Sequence, residues 1–430
     1  MANKIVNVLI YPGGMENGIE VYRSLRYCKE VKLFSATSRV MNHAFYLYTE
    51  NRIIRDVNEE GWIDDLNAVI SQDNIDIVFP VHTIVIERLS KHRSLINALL
   101  VLASESVINI TSSKKATIQA LRDSLPTPFQ YNSLNEIADY PIFIKPDMGY
   151  GSQGAKVITN IEDAKSIDFD KNIVQEYLSG AEYTVDCFSS ESGELLYACG
   201  RKRSRIRMAT SMHAEVVTDL DQKRFEYLAR QIQNTIKLTG AWFFQLKKNS
   251  AGEFKLLEVD ARIAGTMCFS RCRGVNFSLL SIHQKMGRDV SVLVNDVNLS
   301  LDRCLHNRYI IDIEYDTVFV DLDDTIVVHK KLNTELIAFL YQCVNNNISI
   351  VLISKYLGED RDAYLNKWRI NALFDRKIWL KEGDSKVDYI NPERSIFIDD
   401  SYSQRLEVHR KLGIPTFDAS MVEALIDDRI

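Results

Sequence analysis

Two apolar runs, Ala241–Lys248 and Leu256–Val259, flank the turn Asn249-Ser250-Ala251-Gly252. Apolar runs of strand length around so short a polar break leave few choices beyond an antiparallel hairpin. Side chains alternate along a strand, so Glu258 and Asp260, two residues apart, face the same way. If the four turn residues are the whole loop, Gln245 falls opposite Leu256 and diagonal to Glu258, on the same face. One amide and two carboxylates gathered on a rigid hairpin are hard oxygen donors of the kind Mg²⁺ takes together with phosphate oxygens and water. Arg262 follows two residues later, placed to contact phosphate. A surface hairpin with ordinary charges would carry an isolated Glu-x-Asp as well, so the weight of the reading rests on the rest of the chain.

At 430 residues the chain exceeds one typical core, and two to three domains are expected. The composition, 46% hydrophobic and 26% charged, is that of a globular protein. A formal net charge of −6 argues against a general nucleic-acid binder. No apolar run reaches the roughly 18 residues of a membrane span, and the first residues read as a short strand, not a signal peptide. Seven scattered cysteines without a Cys-x-x-Cys pair suggest reduced thiols and a cytoplasmic protein.

Along the chain, Ile5–Tyr11, Val31–Phe34 and Ile75–Pro80 are apolar strands separated by helical patterns, which predicts a small doubly wound α/β domain over residues 1–110. Ligands in such sheets bind beyond the carboxyl ends of strands, which makes Gly13-Gly14 and His82 weak site candidates, more often turn residues. Residues 111–300 read as α+β and mostly antiparallel. Ser112-Ser113 cap a helix from Lys114, Pro141–Lys145 and Ile173–Glu176 are strands, Tyr183–Phe188 pairs with Leu195–Cys199, and Gln222–Lys237 is an amphipathic helix. Residues 301–314 have no clean period and read as a linker. From residue 315 to 430 the alternation returns, with strands Thr317–Val320, Ile348–Ile353 and Ser395–Ile398 and a helix Asn333–Val344. The fold class is therefore α/β and α+β multidomain.

The loop Asp147–Gly154 holds three glycines in eight residues, which lets backbone N–H groups turn towards an anion. Lys145 precedes it. In Arg201–Arg207 the arginines at 201, 203, 205 and 207 alternate, so a regular strand would put all four on one face, where they suit an acidic substrate or a phosphate as well as they suit a solvated edge. In the third region, Asp321-Leu322-Asp323-Asp324-Thr325 follows the strand Thr317–Val320 directly. Two carboxylates at i and i+2 on the first strand's carboxyl end suit a nucleophile and a general acid/base.

Lys114, the stretch PIFIKPDMGYGSQG, the run VQEYLSGAEYTVD and the hairpin FFQLKKNSAGEFKLLEVDARIAG together resemble the ATP-grasp superfamily, its carbamoyl-phosphate-synthase-like branch in particular. With the preceding α/β domain the resemblance covers about the first 300 residues. It implies ATP and Mg²⁺ (or Mn²⁺) as cofactors. Lys114 (or its neighbour Lys115) and Lys145 would contact the phosphates, with Gly151 and Ser152 in the glycine-rich loop. Glu176, Tyr177 and Leu178 would hold the adenine and Glu182 the ribose. Gln245, Glu258 and Asp260 would ligate the metal, and Arg262, with Arg203, would serve the reacting phosphate. The family usually has Asn where Asp260 stands.

Asp321 and Asp323, then Ser354, Lys386 and Asp399-Asp400 in that order, resemble the haloacid-dehalogenase (HAD) superfamily of phosphatases. The resemblance implies Asp321 as nucleophile, Asp323 as acid, Ser354 and Lys386 on the phosphoryl oxygens, and Asp321, Asp323, Asp399 and Asp400 around Mg²⁺. The intervals leave no space for a large cap, so a capless Rossmannoid domain is expected. The combined expectation is an ATP-dependent carboxylate–amine (or thiol) ligase acting through an acyl phosphate, fused to a phosphohydrolase of the same pathway. Its partners would be a small carboxylate and an amine, not nucleic acid or membrane, with a homodimer as the common assembly. A small-molecule kinase with an opposing phosphatase, or a nucleotide-sensing module, are the alternatives.

Overall fold

The structure is a computed structural model and describes residues 5–149, 153–207, 210–295, 297–304, 308–355 and 360–429. The chain divides into two compact units, Met1–Leu305 with Ile430, and His306–Arg429. No helix among the described residues is long and apolar enough to cross a membrane, and the seven cysteines are free.

Unit 1 opens with a parallel sheet of strands β1 (Val6–Tyr11), β2 (Val31–Thr37), β3 (Asn51–Ile53), β4 (Ile77–Pro80) and β5 (Leu99–Leu100), in the order β3-β2-β1-β4-β5. The central strands are nearly continuous apolar runs because helices cover both faces. Gly13 and Gly14 follow β1 and are there for packing: a Cβ on Gly13 would sit 2.1 Å from Ser35 Oγ, and one on Gly14 2.3 Å from Asn42 Oδ1.

A four-stranded antiparallel sheet follows, β6 (Gln130–Tyr131), β7 (Ile142–Pro146), β8 (Lys156–Ile158) and β9 (Asn172–Glu176), in the order β6-β9-β7-β8. The third sheet is antiparallel: β10 (Glu182–Ser189), β11 (Leu195–Arg207), β12 (Thr210–Val216), β13 (Gly240–Lys248), β14 (Phe254–Asp260) and β15 (Ser300–Asp302), in the order β14-β13-β10-β11-β12-β15. The helix Asp219–Ile236 packs on it. Thr218 caps that helix by accepting from Asp221 N at 3.2 Å, and Phe225, Leu228, Ala229, Ile232 and Ile236 form its buried stripe. The sequence reading sets a boundary near residue 110; across it the core is continuous, with Leu9 and Val78 in the same buried cluster as Val185, Phe244 and Val259.

Three local features depart from expectation. Residues 301 and 302, read as the start of a linker, belong to β15 on the edge of β12, with Ala214 opposite Leu301. The segment before Lys114 is itself a helix, Glu105–Ser112, so Ser113 alone caps the next one, Lys114–Leu121, by accepting from Ala116 N at 3.0 Å. The register of the hairpin is shifted: Gln245 lies opposite Glu258, not Leu256, because the loop is one residue longer than the four-residue turn, with Lys248 opposite Phe254, and Leu257 is an extra, bulged residue on β14.

Unit 2 has its own parallel sheet, from β16 (Thr317–Val320), β19 (Ser349–Ser354), β20 (Arg376–Trp379), β21 (Ser395–Ile398) and β22 (Thr416–Phe417), in the order β20-β19-β16-β21-β22. A two-residue hairpin, β17 (Val327–Val328) with β18 (Lys331–Leu332), is inserted after β16. The helix Thr334–Asn345 is capped by Asn333, which accepts from Leu336 N at 3.2 Å. Separate apolar clusters cover the sheet's two faces.

Candidate functional site

A cavity of about 680 Å³ lies within unit 1, walled by β7, β9, β10, β11, β13 and β14 and by the segment after β1. Lys145 is the penultimate residue of β7 and is buried; its Nζ donates to Leu257 O at 3.0 Å. The bulge explains the contact, since a bulged residue leaves its carbonyl out of the ladder. Burial pulls the Lys145 ammonium down to about 8, opposed by Glu258 and reinforced by Lys114. Lys114 lines the same cavity and donates to Asp147 O (3.0 Å) and Gly149 O (3.1 Å). Lys115 is committed elsewhere, to Phe169 O and Asp170 O at 2.7 and 2.9 Å. Gly151 and Ser152 lie outside the described residues.

Glu176, Tyr177 and Leu178 line the cavity at the end of β9. The Glu176 carboxylate is turned back onto Phe129 N at 2.9 Å, which leaves backbone and the half-exposed Tyr177 to meet a ligand. Glu182 lines the cavity between two cations, Arg203 at 3.1 Å and Lys247 at 3.0 Å. Gln245 and Glu258 face each other across the hairpin, and Gln245 Oε1 accepts from Arg203 at 3.0 Å.

Asp260 departs from the expected trio. It does not line the cavity but pairs with Arg262 at 2.7 Å, opposite Phe243 in the ladder. Burial raises its carboxyl to about 6 against the pull of Arg262. Arg262, stacked on Phe243 with its Cζ 5.2 Å from the ring centroid, does line the cavity. Gln245 and Glu258 thus fit a Mg²⁺ completed by phosphate oxygens, while Asp260 fits better as the group that fixes Arg262.

The arginine row is also broken. Register shifts between Arg203 and Arg205 and between Arg205 and Ile206 turn the strand, so Arg201, Arg203 and Ile206 line the cavity. Arg205 instead pairs with Asp302 at 2.7 Å on the exposed edge, and Arg207 is exposed. His82 does reach the cavity wall; burial and then Arg262 lower its imidazole, favouring the neutral form. Asn17, Thr266 and Arg303 line it too. Nothing in their local sequence marks them, because folding alone brings them there from remote segments.

Unit 2 has a compact acidic site of its own. Asp321 follows β16 and Asp399 follows β21, the two central parallel strands. An oxygen from each of Asp321, Asp399 and Asp400 lies within 4.8 Å of the others. Lys386 Nζ donates to Asp321 Oδ1 at 2.7 Å and to Asp399 Oδ2 at 2.5 Å. Thr325 Oγ1 donates to Asp400 Oδ1 at 3.2 Å, and Ser401 N to Asp399 Oδ1 at 2.8 Å. Burial raises Asp321 to about 6, with Lys386 pulling it down and Asp399 pushing it up. Ser354 ends the neighbouring β19 and is buried. Asp323 is not part of the oxygen cluster. Burial, then Asp324 and Asp400, raise its carboxyl, which suits it to hold a proton better than to ligate a cation.

The family described as ATP-grasp in the biosynthetic pathway with Ter operon matches residues 168–302. Among solved structures, a biotin carboxylase–β,γ-ATP complex from Campylobacter jejuni aligns with a TM-score of 0.56 at 17% identity, over 68% of this chain and 74% of that one. The biotin carboxylase domain dimer of Hydrogenobacter thermophilus 2-oxoglutarate carboxylase, in complex with MgADP, ADP and bicarbonate, aligns at 0.57 and 13% identity, over 69% and 72%. N5-carboxyaminoimidazole synthetase from Staphylococcus aureus, complexed with ADP, aligns at 0.56 and 14% identity, over 68% and 80%. No curated protein sequence matches the chain significantly. At these identities the likeness is one of fold: the chain carries the ATP-grasp architecture.

Proposed function

We propose that unit 1 is a Mg-ATP-dependent ligase that activates a carboxylate as an acyl phosphate and passes the acyl group to an amine or thiol. The observation that carries this reading is the shared cavity, with the ammonium groups of Lys114 and Lys145 and the facing oxygens of Gln245 and Glu258 on its walls. The solved neighbours hold adenine nucleotides, one with magnesium and bicarbonate. Lys114 and Lys145 would take the phosphates, with the strand end at Glu176–Leu178 against the base. Mg²⁺, bound by Gln245 and Glu258, would supply neutralisation of the phosphate charge. Arg262, held by Asp260, would orient the acceptor carboxylate. A carboxylate oxygen attacks the γ-phosphorus as ADP leaves, and the amine then attacks the acyl carbon as phosphate leaves.

Unit 2, in the same proposal, is a Mg²⁺-dependent phosphohydrolase of HAD type. Asp321 attacks the phosphorus as the substrate oxygen leaves, Asp323 protonates that oxygen, water then hydrolyses the aspartyl phosphate to release phosphate, and Lys386 and Ser354 hold the phosphoryl oxygens. Asp321, Asp399 and Asp400 fit the cation, and Lys386 balances their charge.

ADP formation tests the ligase, because unit 2 would release phosphate on its own account. With Mg-ATP and a panel of acids and amines, an Asp321→Asn chain is expected to form ADP only when both partners are present. ADP formation with a hydroxyl compound alone would instead establish a kinase.

A further inference from the structure

The far wall of the unit 1 cavity, beyond Gln245 and Glu258, is not used by the ligase proposal above. Across strands β13, β10 and β11 a single row of facing residues runs Gln245, Thr184, Arg201, since Thr184 is opposite both of the others. All three line the cavity. Two strand spacings separate Gln245 from Arg201, about 10 Å. Arg201 is 1% exposed; its Nε and Nη2 donate to Asp186 at 3.0 Å each, and its buried Nη1 has no partner. Arg303 joins the same wall. Its Nη2 donates to Glu16 at 3.0 Å, and its Nη1 is likewise buried without a partner. Both guanidiniums thus border the one cavity.

A purely structural role for the Arg201–Asp186 pair, which Ser270 also joins at 3.3 Å, accounts for two nitrogens of one arginine. It does not account for a second arginine, delivered by the residue after β15, offering another unmet donor to the same space. Buried guanidinium N–H groups without acceptors are costly, and a ligand oxygen is the group that would satisfy them.

We propose that the acceptor of unit 1 is a dianionic acid: one carboxylate reacts beside Arg262 and Gln245, and a second anionic group, about 10 Å from Gln245 across the sheet, is held by Arg201 and Arg303. The proposal rests on the ligase reading and adds its substrate class.

Calorimetric titration of the full chain in MgADP tests it, with succinate, adipate and suberate set against butyrate, hexanoate and octanoate. Diacids are expected to bind about 10- to 100-fold more tightly than monoacids of equal length, most of all suberate. Arg303→Met should collapse that preference and Arg303→Lys restore part of it, with MgADP affinity retained in both. Arg303 is the residue to vary, since removing Arg201 would strand Asp186 in the interior. Equal binding of mono- and diacids, no acid binding at all, or an unchanged preference in Arg303→Met each overturns the proposal, while acid- and amine-dependent ADP formation would keep the ligase standing. Failure to bind MgADP would bring down the ligase reading itself.

Discussion

The first sheet of unit 1 and the sheet of unit 2 are built alike. Each has five parallel strands, with its first strand central, its second and third on one side and its fourth and fifth on the other. Beyond the first and fourth strands, where such sheets bind ligands, they diverge. In unit 2 those positions hold Asp321 and Asp399, joined by Lys386. In the first sheet of unit 1 they hold Pro12-Gly13-Gly14, shaped by contact with Ser35 and Asn42, and His82, which only borders a cavity built mainly by other sheets. Topology supplies a crevice; the residues at the strand ends decide whether chemistry occupies it.

Two crossed substitutions separate the site of unit 2 from that of unit 1. Asp321→Asn is expected to lower phosphomonoester hydrolysis by about 10³-fold or more while sparing ADP formation. Glu258→Gln should do the reverse, lowering ADP formation by about 10²-fold. Loss of both activities in either variant would contradict two independent sites. Next in size, Lys386→Met leaves Asp321 and Asp399 buried without their cation, and should destabilise unit 2 by about 3–5 kcal/mol. Mg²⁺ should recover part of that loss in a thermal melt. Gly13→Ala tests the other strand end: crowding Ser35 should cost unit 1 about 1–3 kcal/mol and leave phosphomonoester hydrolysis unchanged.

The smallest expected effect is one of pH. Lys145 loses its proton near 8 in the folded chain, against 10.5 for an ordinary lysine. Phosphate binds the ammonium form and raises its pKa, so binding takes up a proton above pH 8. Nucleotide affinity should therefore fall with rising pH, approaching tenfold per unit. Calorimetry in buffers of different ionisation heat reads the uptake directly; no uptake at pH 9 would separate Lys145 from the phosphates.

Strands with strong local signals were legible in the sequence. Thr317–Val320 and Ser395–Ile398 are strands with the bounds their apolar runs set, and the helix read over Gln222–Lys237 spans Asp219–Ile236. Register was not legible. A loop one residue longer than the turn suggests and the bulge at Leu257 together move Gln245 from Leu256 to Glu258, and the shifts after Arg203 divert Arg205 to Asp302. Both depend on which partner a strand meets, and alternation within one segment carries no record of that. Arg303 and Glu16 were invisible for the same reason: their meeting joins positions 287 residues apart.

The strand β15 has a practical consequence for anyone dividing this chain. Composition invites a cut near residue 300, but a fragment ending there would strip β12 of its neighbour. The N–H and C=O groups of Ala214 would then be left on a bare edge, a template for pairing between copies and hence for aggregates. It would also discard Arg303, one wall of the cavity. Insolubility or lost binding in such a fragment would report on a misplaced scissor cut, not on dependence of one unit upon the other.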